Sequence, residues 1–449
     1  MQEFDLIVIG TGSAGATVAS KARSAGWNVA IIDSLPLGGT CALRGCDPKK
    51  VLLGNADLID WSRRMQKQHT VTGELSICWP DLMKFKRSFT GPVPEEREQA
   101  FEKRGIKTFH GHARFTGPTT LQVETNVLHA RHVLIASGAT PAPLNISGEE
   151  HLIDSTDFLE LEELPKEIVF VGGGYIALEF THLATRAGAK VTVLHRGERI
   201  LEGFDPDLVS QLADSTRELG ATIHTGMTVK AITKKGARFT VCASQGDKEL
   251  CFDCDLAVHA AGRVPNLDGL DLDTAGVDRE RNGITVNEYL QSVSNPVVYA
   301  AGDAVATSGP RLTPVAAYDG IVAAENLLKA NHMKAQYDAI PTVVFTIPPL
   351  ASVGLSEHSA KEKGLRFKTN YMKMGDWYSS RRVAESTAAF KVLVEEESDL
   401  ILGAHLLGPA AEETINLFTL AIRSGVTAEK LKHILFAYPT HASDVEYML

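Results

Sequence analysis

The chain has 449 residues, 44% of them hydrophobic and 22% charged, a composition that excludes a disordered, collagen-like or coiled-coil polypeptide. Its 45 Lys+Arg against 55 Asp+Glu give a net charge of -10, and no block of Lys/Arg concentrates positive charge, so no nucleic-acid partner is expected. At roughly 150 residues per domain there is length for about three cores, and no apolar run reaches the ~20 residues that span a bilayer. No membrane association and a cytoplasmic location are therefore the expectations.

In chain order, residues 4–9 read as a short buried strand running into Gly10, Gly12 and Gly15, with a compact helix after it. Acids at Glu3 and Asp5 precede the apolar stretch and glycines interrupt it, which fits a strand and turn better than an export signal. A second apolar run, 28–32, ends at Asp33. The spacing has a physical meaning: the first Gly permits the turn, the second lets backbone approach a pyrophosphate, the third allows close helix packing, and Asp33 can accept hydrogen bonds from a ribose. Ser13 and Ala14 complete this candidate cofactor turn.

The next segment, LGGTCALRGCDPKK at 37–50, places Gly38, Gly39 and Thr40 ahead of Cys41 and Cys46. In a straight helix, residues five apart rise by about 7.5 Å, slightly beyond disulfide range, so bridging these cysteines requires a distorted or tightly turned helix. Residues 52–68 read as a helix, and PVPEEREQAFEKRG as another, with Pro near its start and acids in its first turn. Trp61 and Trp79 are expected to pack inside.

From Lys166 the first pattern returns: a strand, Gly172 and Gly174 at the turn, Tyr175 and Ile176 opening a helix, and Ala177 in place of the third Gly. The following strand ends at His195 and Arg196. Two complete strand–turn–helix–strand units imply two dinucleotides. Further on, AAGRVPN (260–266, with Gly262 and Arg263) follows an apolar strand, and VVYAAGD reaches Gly302 and Asp303 ahead of a helix. A strand ending in Gly-Asp can present a backbone N–H and a carboxylate to a cofactor polyol; the alternative is a strand-end turn with a capping Asp. From Ile340, Pro-rich turns and strands lead to a hairpin and an amphipathic helix, and Glu395, Glu396, Glu397 and Asp399 read as a solvated turn.

Of six cysteines, Cys78, Cys242, Cys251 and Cys254 are expected to be structural. Cys251 and Cys254 form a CxxC, but residues three apart in a strand face opposite sides and no further ligands are evident, so no metal site is expected.

Together, GGTCALRGCDPKK, GGGYIALE, AAGRVPN, AAGDA with LTPVAA, and GAHLLGPAAEE resemble, in order and over essentially the whole chain, the class I pyridine nucleotide-disulfide oxidoreductases, flavoproteins that include glutathione reductase, dihydrolipoyl dehydrogenase and mercuric reductase. The resemblance implies an α/β fold with two Rossmann-like dinucleotide-binding domains and a C-terminal α+β dimerisation domain. The segments it implies are 1–150 for FAD, 151–270 for NAD(P)H, 271–338 completing the FAD region, and 339–449 for a homodimer. By the same resemblance, Cys46 is the sulfur nearer the flavin and Cys41 the outer sulfur that exchanges with substrate. Lys49 matches the lysine near the flavin, Glu179 the acid that pairs with it, and Tyr175 an aromatic gate over the nicotinamide pocket. Lys50 is expected to steady FAD, and Ala113, Ser137 and Gly138 join the cofactor contacts.

Where NAD-preferring domains end the second strand on an acid, this chain has His195, then Arg196 and Arg199, either Arg able to grip a 2′-phosphate. NADPH is the expected coenzyme; solvated arginines with NADH use, aided by Glu198 and Glu202, are the alternative. The largest departure is YPTHASD: Tyr438 holds the position of the family's His, and Ser443 that of its Glu. Tyr, with a reference pKa of about 10, is a poor general base at neutral pH. His441 and Asp444 offer a shifted substitute dyad. Mercuric reductases favour a Tyr here but add a C-terminal cysteine pair, whereas the sequence ends Tyr447-Met448-Leu449, so a full mercury relay is not expected. Ser20, with Lys21 beside it, stands where glutathione reductases often present an Arg. The acceptor is left open among a disulfide, a soft metal ion, a quinone and another small molecule, with an NAD(P)H-responsive binding or signalling flavoprotein as the non-enzymatic alternative.

Overall fold

In the computed structural model, which describes Met1–Leu449, the chain forms two compact units, one of Met1–Lys49, Lys84–Ala142 and Gly262–Tyr337, the other of Lys50–Met83, Pro143–Ala261 and Asp338–Leu449. Residues 50–83 thus group with the second unit rather than with the flanking parts of the first expected segment.

The first unit is built on a sheet in which Gln2–Ile9 pairs in parallel with Val29–Asp33 on one side and Asn126–Ile135 on the other. Lys107–His110 extends it beyond Val29–Asp33, and Val298–Ala300 joins Asn126–Ile135, both in parallel. Leu6, Ile7 and Val8 are fully buried in succession, as central parallel strands require when elements cover both faces. The helices Ser13–Ser24 and Thr313–Lys329 pack closely because Gly320 has no side chain: a Cβ there would lie 2.8 Å from the Ala14 carbonyl oxygen. The expected helix at PVPEEREQAFEKRG is Val93–Lys103, entered through Pro92.

In the second unit, Thr222–His224, Lys190–Leu194, Glu167–Val171 and Leu256–His259 form a parallel sheet in that order. Beside it lies an antiparallel three-stranded sheet of Thr228–Lys235, Arg238–Gln245 and Lys248–Cys254. The C-terminal part is a five-stranded antiparallel sheet, with Ala389–Glu395 and Ile401–Leu407 as the expected hairpin and Ala411–Arg423 as the amphipathic helix. Exposed Glu396 and Glu397 lie in the connecting turn. The helix anticipated at 52–68 begins earlier and runs Cys46–Lys67; its Asp60 pairs with buried Arg186 of Tyr175–Arg186 at 2.7 Å. Trp79 is buried and donates to the Leu161 carbonyl, but Trp61 is 48% exposed and does not pack inside as expected. No helix is long and apolar enough to cross a membrane.

Candidate active site

The first strand of the first unit ends at Gly10 (φ 105°), where a Cβ would strike the Ala136 carbonyl oxygen at 2.2 Å. Gly12 caps the helix Ser13–Ser24 with no side chain on its orphan N–H groups, and nothing lies within 4 Å of where its Cβ would stand. Gly15 answers to packing, its Cβ position being 2.0 Å from the Gly10 carbonyl oxygen. Gly10 and Gly15 thus show the turn and the close packing that their spacing implies, and the open side at Gly12 leaves room for a pyrophosphate on a helix N-terminus. Asp33 is engaged within the chain: one oxygen accepts from the Thr11 N–H at 2.9 Å and the Thr11 hydroxyl at 2.5 Å, the other from the Leu35 N–H. Thr11 Oγ1 in turn accepts from the Gly38 N–H at 3.0 Å, tying the glycine turn to the cysteine segment.

That segment approaches closely. Gly39 has φ 74°, and a Cβ on it would stand 2.5 Å from Gly12 Cα. The helix Gly39–Arg44 then stops, Gly45 leaves helical geometry, and a new helix starts at Cys46. Here is the distortion that the five-residue cysteine spacing demands. Both are thiols in the structure, in direct hydrogen-bond contact with each other. Cys46 Sγ also meets Thr313 Oγ1 at 3.3 Å, at the first turn of Thr313–Lys329, and Cys41 Sγ lies 3.9 Å from Asp47 Oδ1. The hydrogen bond from Cys41, aided by Thr313 and the positive charge of Lys49, lowers the Cys46 pKa to about 6, whereas the same pairing and burial push Cys41 up. The Cys41 hydrogen bond, Thr313 and Lys49 thus favour the thiolate at Cys46.

Other expected residues also lie in the first unit. Ser137 Oγ is buried without a partner, and Gly138 (φ 74°) has open space where a side chain would go. Gly262 and Arg263 are held against Ala139–Pro141 by Ala142 N–H donating to the Gly262 carbonyl and by the short antiparallel pairing of Arg263–Pro265. The Gly302 N–H donates to Asp319 at 3.1 Å, and burial raises the pKa of Asp303. Ala113 is buried in its strand. Asp319 was not anticipated; its contact with Gly302 depends on a helix residue seventeen positions downstream, which no local motif signals. Lys21 pairs with Glu325 at 3.4 Å, and Ser20 Oγ accepts from Arg104.

The second unit repeats the turn. At Gly172 (φ 121°) a Cβ would lie 2.1 Å from the Ala260 carbonyl oxygen, Gly174 faces open space, and Ala177 is fully buried as the small packing residue. Tyr175 bonds Thr342 Oγ1 at 2.7 Å and sets its ring against Phe204, with Ile176 half-buried beside it. Buried Glu179 accepts from the Phe345 N–H at 2.9 Å, and the Lys50 ammonium sits 4.3 Å above the Phe345 ring. Beyond the second strand, Glu202 faces His195 at 3.5 Å, Arg199 donates to the Glu202 carbonyl, and Arg196 is exposed.

At the C-terminus Tyr438 is 79% exposed and stacks on Tyr378. Ser443, at the position of the family's Glu, instead forms a reciprocal cap with Thr440. His441 and Asp444 line one cleft with Ser380, Thr414 and Met374. Burial lowers the His441 pKa and raises that of Asp444, which is also bonded to Ser379. The pair interacts electrostatically without a direct hydrogen bond.

Residues 4–320 match the family model described as pyridine nucleotide-disulphide oxidoreductase, and residues 340–449 match its dimerisation domain. The chain belongs to this family. It is 33% identical over 452 residues to the mercuric reductase of Staphylococcus aureus, covering 99% of this chain and 81% of that protein. It is 32% identical over 447 residues to the glutathione reductase of Burkholderia cepacia, covering 98% and 97%. Among solved structures, the Cu(II) complex of HOCl-induced flavoprotein disulfide reductase RclA from Escherichia coli superposes with TM-score 0.88 at 26% identity, covering 100% of this chain and 99% of that one. The oxidoreductase is thus a FAD- and NAD(P)H-dependent enzyme of disulfide oxidoreductase type, and its two glycine turns fit two dinucleotides in the structure itself. Its one disulfide, however, joins Cys242 and Cys251. Cys254, the other cysteine of the CxxC, is a buried free thiol, as the opposite facing of residues three apart in a strand implies. This pairing was missed, although the symmetry of a hairpin turning at Gly246-Asp247 puts 242 opposite 251.

Proposed function

We propose that the enzyme takes electrons from NADPH and delivers them through Cys46 and Cys41 to a thiophilic metal ion. The observation that carries this reading is the pairing of Cys46, its pKa lowered, with Cys41 across the Gly45 break; with it goes the sequence position of Tyr438, where the family has its His, since a Tyr is a poor general base near neutral pH. When bound, FAD would supply two-electron acceptance from the nicotinamide next to the cysteine pair. Gly10, Gly12, Ser13, Ala14, Gly15 and Gly39 would hold its pyrophosphate side, with Ser137, Gly262, Arg263, Gly302 and Asp303 along the rest. Lys49 offsets developing negative charge near the ring, and Glu179 is assigned to steady that lysine. Lys50, over Phe345, supports the Glu179-bonded backbone. Gly174 and Tyr175 frame the nicotinamide nucleotide. Arg196, whose charge Glu202 does not take up because Glu202 faces His195, favours NADPH over NADH. The four segments 1–150, 151–270, 271–338 and 339–449 are the functional division in this reading, the last joining two copies in the cytoplasm.

Oxidation of the Cys41/Cys46 dithiol to its disulfide releases two electrons and two protons, enough to reduce two Cu(II) ions to Cu(I). Such an acceptor has no leaving thiolate to protonate, so Tyr438 costs it nothing. Mercuric reductases and a copper-bound neighbour stand among the similar proteins. A disulfide acceptor is the second reading, favoured by the His441/Asp444 cleft. Stopped-flow reduction by NADPH, followed separately by reoxidation with Cu(II), Hg(II), glutathione disulfide, a small aromatic disulfide and a quinone, distinguishes them. Fast reoxidation by metal and slow reoxidation by disulfides is the expected result. Fast reoxidation by glutathione disulfide that His441→Gln abolishes, with reduction intact, would establish the second reading instead.

A further inference from the structure

Cys242 and Cys251 are directly opposed across the antiparallel strands Arg238–Gln245 and Lys248–Cys254, with Cα atoms 4.1 Å apart. The ladder continues on both sides of them, from Phe239↔Cys254 to Gln245↔Lys248, where Gly246 (φ 57°) opens the turn. One face of the hairpin is apolar: Val241, Ala243 and Cys254 are buried in a core with Val169, Val171, Leu194 and Met227. Backbone pairing on both sides of the S–S bond and this burial fix the hairpin besides the bond itself. On the other face, by the period-two alternation of strands, stand Cys242, Cys251 and Glu249, half-buried, exposed and exposed, with the two sulfurs and a Glu249 carboxylate oxygen all within 4.8 Å of one another. Asp253 shares that face, but its carboxylate accepts from the Thr240 hydroxyl at 2.6 Å.

We propose that Cys242–Cys251 is a reversible disulfide whose reduced form, together with Glu249, binds a thiophilic divalent d10 ion of the zinc(II) class. A small-molecule thiolate attacks the exposed Cys251 Sγ; the S–S bond breaks and its electron pair leaves on Cys242 Sγ, which takes a proton. A second thiol attacks the mixed disulfide, releasing the Cys251 thiol and a small-molecule disulfide, so two thiols have supplied two electrons. The reduced sulfurs remain opposed because the ladder persists. Two thiolates on one tetrahedral zinc, at about 2.3 Å each, stand about 3.8 Å apart, a separation reachable by side-chain rotation alone from a directly opposed cross-strand pair. Binding expels the two thiol protons, and the Glu249 carboxylate supplies a third anionic ligand, leaving the fourth position to water. The disulfide form offers neutral sulfurs and cannot hold the ion, so metal occupancy follows the redox state of the hairpin.

The test uses FAD-loaded Cys41→Ser/Cys46→Ser protein, which removes the competing redox thiols, before and after reduction with a phosphine and desalting. Zinc is added as the probe and counted by equilibrium dialysis with elemental analysis, while differential alkylation and mass spectrometry read the state of Cys242 and Cys251. The reduced sample should hold about one more zinc per chain than the oxidised one. Adding Cys242→Ser/Cys251→Ser should abolish that difference, Glu249→Gln should weaken it by roughly tenfold or more, and Asp253→Asn should leave it. If the serine background does not fold, the same difference is read between the native chain and its Cys242→Ser/Cys251→Ser variant. Reduced, alkylatable thiols without additional zinc would overturn the site. Retention of that zinc by the double serine variant, or a disulfide that resists reduction while the chain stays folded, would overturn it equally.

Discussion

Cys46 carries its charge for reasons that can each be removed. Its thiolate is favoured by a hydrogen bond from Cys41, by Thr313 at the start of a helix, and by Lys49 one turn along its own helix, against the opposing cost of burial. A thiol lowered to about 6 loses its proton well below the ordinary Cys value near 8.5, so the reactive form grows as pH rises through that range and is nearly complete by neutrality. In reduced protein, iodoacetamide labelling of Cys46 should climb with a midpoint near pH 6, while Cys41, pushed upward by the same pairing, labels slowly throughout. Thr313→Val and Lys49→Met should each move the Cys46 midpoint up. A midpoint near 8.5 in the unmodified chain would remove the basis for assigning Cys46 as the thiolate. At this scale the sequence was readable where a residue type serves its own backbone or its immediate neighbour: the turn glycines, the cysteine pair, the missing His/Glu. It was opaque where a partner is distant. Nothing local says that Asp33 spends its carboxylate on Thr11, that Ser443 is a cap, or that Glu202 faces His195 rather than an arginine.

At the scale of elements, strand, turn and helix boundaries followed from period and punctuation because both nucleotide turns repeat one local solution, and the hairpin and amphipathic helix near the C-terminus have distinct periods. The helix entered at Cys46 began six residues before its expected start, since its first turn belongs to the redox segment and carries Asp47 and Pro48 rather than an apolar stripe. The two kinds of glycine in these turns separate experimentally. Gly39→Ala meets backbone at 2.5 Å in a positive-φ conformation, which alone disfavours a Cβ by about 1–2 kcal/mol, and the clash with Gly12 distorts the cradle itself. That variant should be purified with FAD largely lost, seen as a fallen ratio of flavin to protein absorbance. Gly174→Val, by contrast, has open space for its side chain. It should keep the fold and FAD while raising the KM for NADPH, because the added methyls occupy the approach to the helix N-terminus. Full FAD retention by Gly39→Ala, or an unchanged KM in Gly174→Val, would contradict the division between packing and ligand-facing glycines.

Across the whole molecule, order along the chain is a poor guide to compactness: the C-terminal part falls in the same unit as residues 143–261. One reason is a buried ion cluster that joins them. Lys391, on Ala389–Glu395 and 2% exposed, reaches Asp205 at 2.8 Å and Glu357 at 3.3 Å, and also contacts Asp207. Asp205 is equally buried and caps the helix Pro206–Glu218 through the Asp207 and Leu208 N–H groups. Lys391 is a charged residue on a strand, and the packing of that strand against the helix start buries it. Burial pulls the Lys391 pKa down, but hydrogen bonds to Asp205 and Asp207 hold it above its ordinary value. A lysine so raised contributes stability that is fully present below the unfolded value near 10.4 and is lost only as pH climbs through the folded value, so the cluster is at full strength at neutral pH. Lys391→Met keeps the length and apolar stem while deleting the charge, and leaves Asp205 buried without its counter-ion. Breaking one side of such a pair costs roughly 3–5 kcal/mol. Urea denaturation at pH 7.5, with FAD present in excess for both proteins, should show a loss of that order. A loss below about 1 kcal/mol would mean that the packing of the sheet against the helix, rather than Lys391, holds the two segments together.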